Sequence, residues 1–336
     1  MNEMLYIQKD EMQKVFYNIL LQHGFTEEKA AQCADIFTAN SVDGIYTHGV
    51  NRFSRFIQYV IEGYVHPDAA PTLVHAFGGI EQWNGNLGPG PLNAVQATER
   101  VMYLAQQQGI GCVALANTNH WMRGGYYGWQ AAKRGFVFIG WSNTIANMPA
   151  WNAVEGRLGN NPLVVALPFQ DEAIVMDMAM SQFSFGTMEQ SSMKGEELPV
   201  FGGFDKKGEL TKNPSEILAS GRPVPIGYWK GAGLALLLDI LAAILSHGLA
   251  TYEISKQHSE HGVSQVFIAI DLSKLSNHPS IGLIIEHIIS DYKQSAPAGD
   301  DKKITYPGEG VLKRRTANLA NGIPVIKTIW EEVLSL

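Results

Sequence analysis

GAGLALLLDILAAIL, residues 231–245, is the most apolar stretch of the 336-residue sequence. The two glycines at its start raise the question of whether the chain has a nucleotide-binding fold. A dinucleotide fingerprint needs glycines in the pattern G-x-G-x-x-G between a strand and a helix. Residues 231–236 (GAGLAL) place a leucine, and residues 88–93 (GPGPLN) an asparagine, where the third glycine belongs. Either no dinucleotide binds, or it binds on a fold other than the doubly wound one. The stretch itself predicts a helix buried in the core.

The composition excludes several classes of protein. Hydrophobic residues make up 46% of the chain and charged residues 17%, which excludes a disordered chain. The formal net charge of −7 argues against a nucleic-acid-binding protein, which usually carries a basic face. The apolar run is shorter than the roughly 18 residues that a membrane-spanning helix needs, and Asp239 interrupts it. We therefore expect neither nucleic acid nor membrane as a partner.

The chain start and the cysteines indicate a cytoplasmic location. Residues 1–14 (MNEMLYIQKDEMQK) contain two acids and no long apolar run, so we expect no signal peptide. Cys33 and Cys112 belong to no CxxC pair or disulfide framework. Both are expected to be buried thiols in a reducing compartment.

Helical patterns begin and end the chain, and strands mix with helices between them. Helices are predicted at 9–22, from a Thr26 cap to Asp43-Gly44, at 48–62, 93–108, 125–134, 231–246 and 281–292, and around a linker in 311–336. Strands are predicted at 110–116, 136–141, 163–167, 173–178 and 266–272, a long excursion at 206–225 and an exposed loop at 296–303. We expect the two helical ends to form one discontinuous domain, residues 1–125 with 305–336, around an inserted domain, residues 126–304.

The segment YTHGVNR, residues 46–52, carries a histidine and an arginine four residues apart. On a helix they would share a face. An arginine can bind a carboxylate bidentately, and a histidine can donate a proton to a developing alkoxide. His48 and Arg52 would therefore suit a 2-oxo acid, whose carboxylate adjoins its ketone. A histidine at a helix start beside a surface arginine is the alternative interpretation.

A second polar segment, NTNHWMRGG (residues 117–125), directly follows a predicted strand. Polar side chains at the end of a strand, followed by paired glycines, are typical of a site loop on a rigid scaffold. His120 and Arg123 could bind an oxygen-rich substrate there. A plain strand-to-helix connection, with Trp121 and Met122 in the core, is the other possibility.

Three further segments could hold a dinucleotide. Asp177 comes late in the strand IVMDM, where a carboxylate can accept ribose hydroxyls. Lys230 precedes the long helix, whose first N–H groups favour an anion. Residues 307–310 (PGEG) could present backbone N–H groups to a pyrophosphate. His258 and His261 lack further ligands at metal-binding spacing, so we expect no metal site.

These segments resemble the malate/L-lactate dehydrogenase family of type 2. The resemblance runs through THGVNRFSRFIQ (47–58), NHWMRGGYYGWQAA (119–132), LGNNPLVVALP (158–168), FGGFDKKGELTKNP (201–214), GYWKGAGLALLLD (227–239) and SQVFIAID (264–271). It covers nearly the whole chain. It implies an α/β protein with a non-Rossmann NAD(P)-binding fold, a mixed, largely antiparallel sheet and a helical N- and C-terminal domain.

The resemblance also implies an activity and the residues that perform it. The reaction would be NADH-dependent reduction of the C2 ketone of 2,3-diketo-L-gulonate to 3-keto-L-gulonate by a homodimer, with NADP as the other possible cofactor. His48 would be the acid/base residue. The substrate would meet Thr47, Arg52, His120 and Arg123. The cofactor would meet Ala173, Ile174, Val175, Met176, Asp177, Met178, Ala179, Trp229, Lys230, Gly308, Glu309 and Gly310.

Two departures and two rival functions accompany this expectation. Glu309 stands where the related sequences suggest a histidine, and since a carboxylate would weaken pyrophosphate binding, it is expected to face ribose or solvent. The strand around Ala173 is one residue out of step with the family pattern. The rival functions are reduction of another 2-oxo acid of the malate or lactate type, and a cofactor-free sugar-acid lyase or isomerase, because a His/Arg pair could also abstract a proton beside a carbonyl.

Overall fold

The computed structural model describes residues 3–299 and 302–336, so two residues of the predicted loop 296–303 lie outside the described part. The helices are α1 Lys9–Gln22, α2 Glu27–Val42, α3 Val50–Ile61, α4 Gly90–Gln108, α5 Gly124–Lys133, α6 Phe185–Lys194, α7 Pro214–Ser220, α8 Trp229–Ser246, α9 Thr251–Ile254, α10 His278–Lys293, α11 Glu309–Asn321 and α12 Lys327–Leu334. The strands are β1 Met4–Ile7, β2 Thr72–Phe77, β3 Ile80–Asn84, β4 Ile110–Thr118, β5 Phe136–Ser142, β6 Met148–Pro149, β7 Gly156–Leu158, β8 Leu163–Phe169, β9 Glu172–Met178, β10 Gly203–Phe204, β11 Leu210–Thr211, β12 Val263–Asp271 and β13 Ile323–Ile326.

A seven-stranded sheet forms the centre of the protein, in the order β2-β3-β4-β12-β5-β8-β9. β3 and β4 run parallel, and the other neighbouring pairs of this sheet are antiparallel. The expectation of an α/β protein with a mixed, largely antiparallel sheet is confirmed. β12 lies between β4 and β5 and is buried along most of its length, which explains its nearly continuous apolar sequence VFIAI.

Both chain ends join the same helical layer. β1 pairs with β13 in an antiparallel ribbon, and α12 packs against α3. Under them, the rings of Phe16 and Phe53 stack at 4.0 Å, and the ring of Phe37 meets that of Phe53 edge-on at 5.1 Å. The sequence analysis predicted the helices here but took β13 for a linker. Four residues are too few to show a strand period.

The predicted helix over 48–62 is wrong at its start. Tyr46–His48 forms a separate 3-10 turn, and α3 begins only at Val50. Gly49 separates the two and lies against α2, where an added Cβ would come within 2.2 Å of the Ser41 hydroxyl oxygen. His48 and Arg52 therefore do not share one helix, although the fold still brings them near each other.

Helix α8 is not wholly buried, contrary to the expectation from its apolar sequence. Its inner face packs on the sheet through Ala232, Ala235, Leu238 and Ala242. A helix that is apolar all round has a second apolar face, and here that face meets solvent at Leu236, Leu237, Ile240 and Ile244. Among the described residues, α8 is also the one helix long and apolar enough to cross a membrane, a criterion that many helices of soluble proteins also meet.

The predicted domain boundary at residue 125 separates strands that belong to one sheet. β2, β3 and β4 precede it in the chain, yet they belong to the same sheet as β12 and β5. Parallel pairing with β3 and antiparallel pairing with β12 fix β4 within the sheet from both sides. The division into a discontinuous helical domain and an inserted domain stays a prediction.

Two isoleucines one turn apart on α3 test how the helical layer is stabilised. Ile57 is fully buried, whereas Ile61 is 58% exposed. Ile57→Ala should lower the free energy of unfolding by about 2–5 kcal/mol, because the lost contacts leave a cavity. The matched variant Ile61→Ala should change it by less than about 0.5 kcal/mol. Urea denaturation of both variants measures this, and equal losses would contradict the assigned packing.

Candidate functional site

Two histidines from distant parts of the chain meet beside a cleft. His48 ends the 3-10 turn that precedes α3, and its carbonyl accepts a hydrogen bond from the Asn40 side chain at 3.0 Å. His120 lies in the loop after β4. The two imidazole rings stack with centroids 5.7 Å apart and planes inclined by 22°. The structure thus brings together two of the predicted site residues.

The backbone fixes the tautomer of His120. The Met122 N–H donates to Nδ1 of His120 at 3.0 Å, so a neutral ring carries its proton on Nε2. Met122 adopts a left-handed backbone with φ +65°, which few bulky residues do. The strained turn therefore holds His120 as a hydrogen-bond donor through Nε2.

The histidines are both held neutral. Burial, together with the charges of Arg52 and Arg123, lowers the pKa of His48 to about 4. Burial and the charge of Arg52 also lower the pKa of His120 well below its usual range. The Thr47 hydroxyl lies 3.1 Å from Nδ1 of His48 and orients its ring. Anything that neutralises Arg52 would thus favour protonation of His48.

A solvent-open cleft of about 310 Å³ lies next to His120. It is lined by Arg52, Arg55, Phe56, Tyr59, Val65, Asn119, His120, Met122 and Glu260. The Arg52 guanidinium makes no hydrogen bond or ion pair with another described residue, while Arg55 donates to the Tyr59 hydroxyl at 3.1 Å. Burial, then the charge of Arg55, lowers the pKa of Arg52. An unpaired, desolvated guanidinium in a cleft is a receptor for an anion.

The sequence analysis did not single out three polar side chains of this cleft, those of Arg55, Tyr59 and Glu260. Arg55 follows Arg52 by one helical turn, a spacing that could have pointed to it. Tyr59 follows Arg55 by another turn. Glu260 comes from the polar segment around His258 and His261, which the sequence analysis weighed as a metal site. His261 stacks on the Tyr64 ring at 4.7 Å instead, and no group of three metal ligands occurs among the described residues.

Arg123 does not line the cleft. Its guanidinium is 5% exposed and forms an ion pair with the buried carboxylate of Asp43. Asp43 also pairs with Arg315 of α11 at 2.6 Å. The Asp43 carboxylate thus joins the loop after β4 to α11, and the predicted contact between Arg123 and substrate stays a prediction.

Strand β9 carries six of the residues that were predicted to contact a cofactor, 173–178. It is an edge strand of the sheet, so one side of its backbone is open to partners. Ala173 and Val175 point into the core, Asp177 is exposed, and the others of the predicted set are half-buried, namely Ile174, Met176, Met178 and Ala179. The Asp177 carboxylate accepts the Gly125 N–H at 2.7 Å.

Two further predicted segments meet this strand. The Val175 N–H donates to the carbonyl of Pro307 at 3.2 Å, which places residues 307–310 against β9. The Ile226 N–H donates to the carbonyl of Met180 at 2.8 Å, just before α8 begins. Three segments that lie far apart in the sequence are therefore joined by backbone hydrogen bonds at β9 and just after its end.

The start of α8 presents two unengaged side chains. Trp229 is 65% exposed, and Lys230 is also exposed. Neither side chain forms a hydrogen bond, ion pair or ring contact with the described residues. Tyr228 before them has a left-handed backbone with φ +59°, and its ring packs on Trp151 at 5.1 Å. This turn directs the chain from the β9 edge into the helix.

The turn at Gly308 begins α11. Gly308 has φ +90°, and an added Cβ would lie 3.2 Å from the Val175 nitrogen, so this position requires glycine. No side chain caps the helix, and because the Glu309 and Val311 N–H groups donate to the carbonyls of Tyr306 and Gly308, the Gly310 N–H is the one left for an anion in this turn. Glu309 accepts from the Lys293 ammonium at 2.9 Å and from the Tyr306 N–H, and Lys293 lowers its pKa. Its negative charge is thus paired.

These groups fit a nicotinamide dinucleotide. An uncapped N-terminus of a 13-residue helix suits a pyrophosphate, and the Asp177 carboxylate suits ribose hydroxyls. Lys230 offers a free cation and Trp229 a flat apolar surface. These residues of β9, α8 and α11 could supply such contacts without a glycine-rich nucleotide loop.

The comparisons with known proteins agree with one another. The model of the malate/L-lactate dehydrogenase family matches residues 7–334. The 2,3-diketo-L-gulonate reductase of Salmonella typhimurium (strain LT2) is 43% identical over 328 residues, which are 97% of this chain and 98% of the relative.

Solved structures share the fold. The malate dehydrogenase of Entamoeba histolytica superposes with a TM-score of 0.93 at 23% identity, covering 99% of this chain and 98% of that one. The malate dehydrogenase of Pyrococcus horikoshii OT3 superposes with a TM-score of 0.89 at 25% identity, covering 99% and 95%. The family match extends over almost the entire chain, and the protein therefore belongs to the malate/L-lactate dehydrogenase family of oxidoreductases.

Proposed function

We propose that the protein uses NADH to reduce the C2 ketone of 2,3-diketo-L-gulonate to 3-keto-L-gulonate. The observation that carries this proposal is the unpaired Arg52 guanidinium in a cleft beside the stacked rings of His48 and His120. The reductase of Salmonella typhimurium supports the choice of substrate. Reduction of another 2-oxo acid is the alternative within the family. A lyase or isomerase is disfavoured, since the named relatives are reductases and dehydrogenases.

Arg52 and His120 would orient the substrate. Arg52 would bind the C1 carboxylate, since a guanidinium fork matches a carboxylate and here has no competing partner. Nε2 of His120 would donate a hydrogen bond to the C2 ketone oxygen, because its Nδ1 already accepts the Met122 N–H. The ketone carbon would then be polarised where negative charge develops on its oxygen.

His48 would supply the proton. Arg52 lowers the pKa of His48, so a substrate carboxylate at Arg52 offsets that effect and favours uptake of a proton. Protonated His48 would then donate to the alkoxide formed at C2. Thr47 would keep the ring in place through Nδ1. Substrate binding and protonation of the acid are coupled in this scheme.

Groups on β9 and at the starts of α8 and α11 would hold the cofactor, which supplies the hydride to C2. Asp177 would accept ribose hydroxyls, and Lys230 with the Gly310 N–H would meet the phosphates. Trp229 would cover an apolar ring. NADPH is the alternative cofactor. Glu309 stands at a turn where its negative charge would repel a pyrophosphate. Because that charge is paired with Lys293, the repulsion is offset.

A second copy of this chain would cover the exposed face of α8. Monomeric proteins rarely expose a large contiguous apolar patch. The side chains of Leu236, Leu237, Ile240 and Ile244 form such a row at helical spacing. Trp229 and Lys230 begin the same helix, so a homodimer formed here would place its interface next to the proposed cofactor site.

The two free cysteines suit the reducing cytoplasm. Burial raises the pKa of the Cys33 thiol and raises that of Cys112 to about 11.

Reduction of a panel of 2-oxo acids tests the function. The absorbance of NADH or NADPH should fall with 2,3-diketo-L-gulonate, and kcat/KM for it should exceed those for pyruvate and oxaloacetate. Arg52→Lys keeps the charge but loses the bidentate fork, so KM should rise for every acid that is reduced. No oxidation of either cofactor with any acid would refute the proposal.

Loss of His48 tests the acid. His48→Asn should lower kcat by about 10²–10⁴-fold, the usual contribution of one acid/base group, while NADH binding stays nearly unchanged. Stopped-flow hydride transfer and fluorescence titration with NADH separate the two effects. His258→Asn, which removes an exposed histidine outside the cleft, is the control and should leave kcat unaltered. Normal turnover by His48→Asn would end this assignment.

A charge on α8 tests the dimer. Leu237, 56% exposed, should become buried in the pair, so Leu237→Asp should raise the monomer fraction at least tenfold at micromolar concentration. Leu334→Asp, on an equally exposed leucine of α12, should leave assembly unchanged. Sedimentation velocity measures both. A wild-type protein that sediments as a monomer would contradict the dimer.

A further inference from the structure

The substrate cleft contains one carboxylate as well as two guanidinium groups. Glu260 lines it together with Arg52 and Arg55. It comes from the segment between α9 and β12, whereas both arginines belong to α3. The cleft therefore carries two positive charges and one negative charge, a formal balance that matches an anion with a single charge.

The Glu260 carboxylate is fixed by the backbone and not by the arginines. Its Oε2 atom accepts the Ile145 N–H at 2.9 Å. The next residue of that loop donates to Ser255 at 2.8 Å, so the loop and the Glu260 segment hold each other. No ion pair within 4.0 Å joins Glu260 to either arginine, and no described residue donates a hydrogen bond to its Oε1 atom. The second oxygen is therefore free for a ligand.

An ionised carboxylate accepts hydrogen bonds and donates none. Next to the Arg52 site it can bind the hydroxyl groups of a substrate tail, because each hydroxyl offers a donor. It would repel a second carboxylate at the same place, and like charges in a partly desolvated cleft are strongly disfavoured. Arg55 is the second cation of the cleft, which a dicarboxylate would otherwise use, and Glu260 adds a negative charge to the same cleft.

We infer that Glu260 determines substrate specificity. It accepts hydrogen bonds from a polyhydroxylated tail and disfavours 2-oxo acids that carry a second carboxylate, such as oxaloacetate. This inference rests on the proposed function insofar as it takes Arg52 as the site of the C1 carboxylate. It deepens that function by naming the residue that separates sugar acids from dicarboxylic acids.

Glu260→Gln tests the inference, because glutamine keeps an oxygen for the Ile145 N–H and removes the charge. Titration calorimetry with L-gulonate and L-malate, with and without NADH, measures binding of a hydroxylated and a dicarboxylic 2-hydroxy acid without any turnover. The wild-type protein should bind L-gulonate more tightly. Glu260→Gln should shift the ratio of the two Kd values toward L-malate by about tenfold or more. Glu260→Ala should shift it in the same direction.

Kinetics provide the second readout. The ratio of kcat/KM for 2,3-diketo-L-gulonate to that for oxaloacetate should fall by a similar factor in Glu260→Gln. Glu209→Gln, which removes the same charge at an exposed turn, should alter neither ratio. Unchanged ratios in folded Glu260 variants would overturn the inference even if the wild type reduces the sugar acid. A shifted Kd ratio in an enzyme that reduces no 2-oxo acid would support Glu260 while refuting the proposed function.

Discussion

The buried carboxylate of Asp43 is the contact on which the relative placement of α2, the loop after β4 and α11 depends. It pairs with Arg123, from the loop after β4, and with Arg315, from α11. Arg315 also lies over the Trp129 ring at 4.8 Å and reaches Glu172 at the start of β9. A buried ion pair is expensive to desolvate, and losing one partner typically costs about 3–5 kcal/mol because a charge is left uncompensated. The helical layer, the sheet and the last long helix are therefore held in one relative arrangement.

That arrangement sets the site. The turn that carries His48 follows Asp43 by a few residues, and His120 precedes Arg123 by three. The same junction anchors α11, whose first turn lies against β9. The cleft beside the histidines and the turn at Gly308 thus lie around a common charged core. Arg123 belongs to that core, so it adds to burial and Arg52 in lowering the pKa of His48 without lining the cleft.

Local signals allowed much of the fold to be predicted from the sequence. The cap at Thr26 and the period of α1 placed both helices within a residue, because such contacts lie within one turn of the chain. The start of α3 was misplaced because the constraint on Gly49 comes from Ser41, across a turn. The outer face of α8 could not be told from a core face, since an apolar side chain has the same sequence signature whether the fold buries it or leaves it exposed. Arg123 was assigned to substrate because its partner, Asp43, lies 80 residues away.

The same reasoning explains how a chain of net charge −7 could bind the two anions that the proposed function requires. Most of its cations close to the site are already paired, Arg123 and Arg315 with Asp43 and Lys293 with Glu309. Arg52 in the cleft and Lys230 at the start of α8 form no ion pair with the described residues. In the proposed scheme, Glu260 would limit the positive potential of the cleft to what one carboxylate can neutralise. The local pairing of charges, and not the overall charge, would then decide which anions the protein attracts.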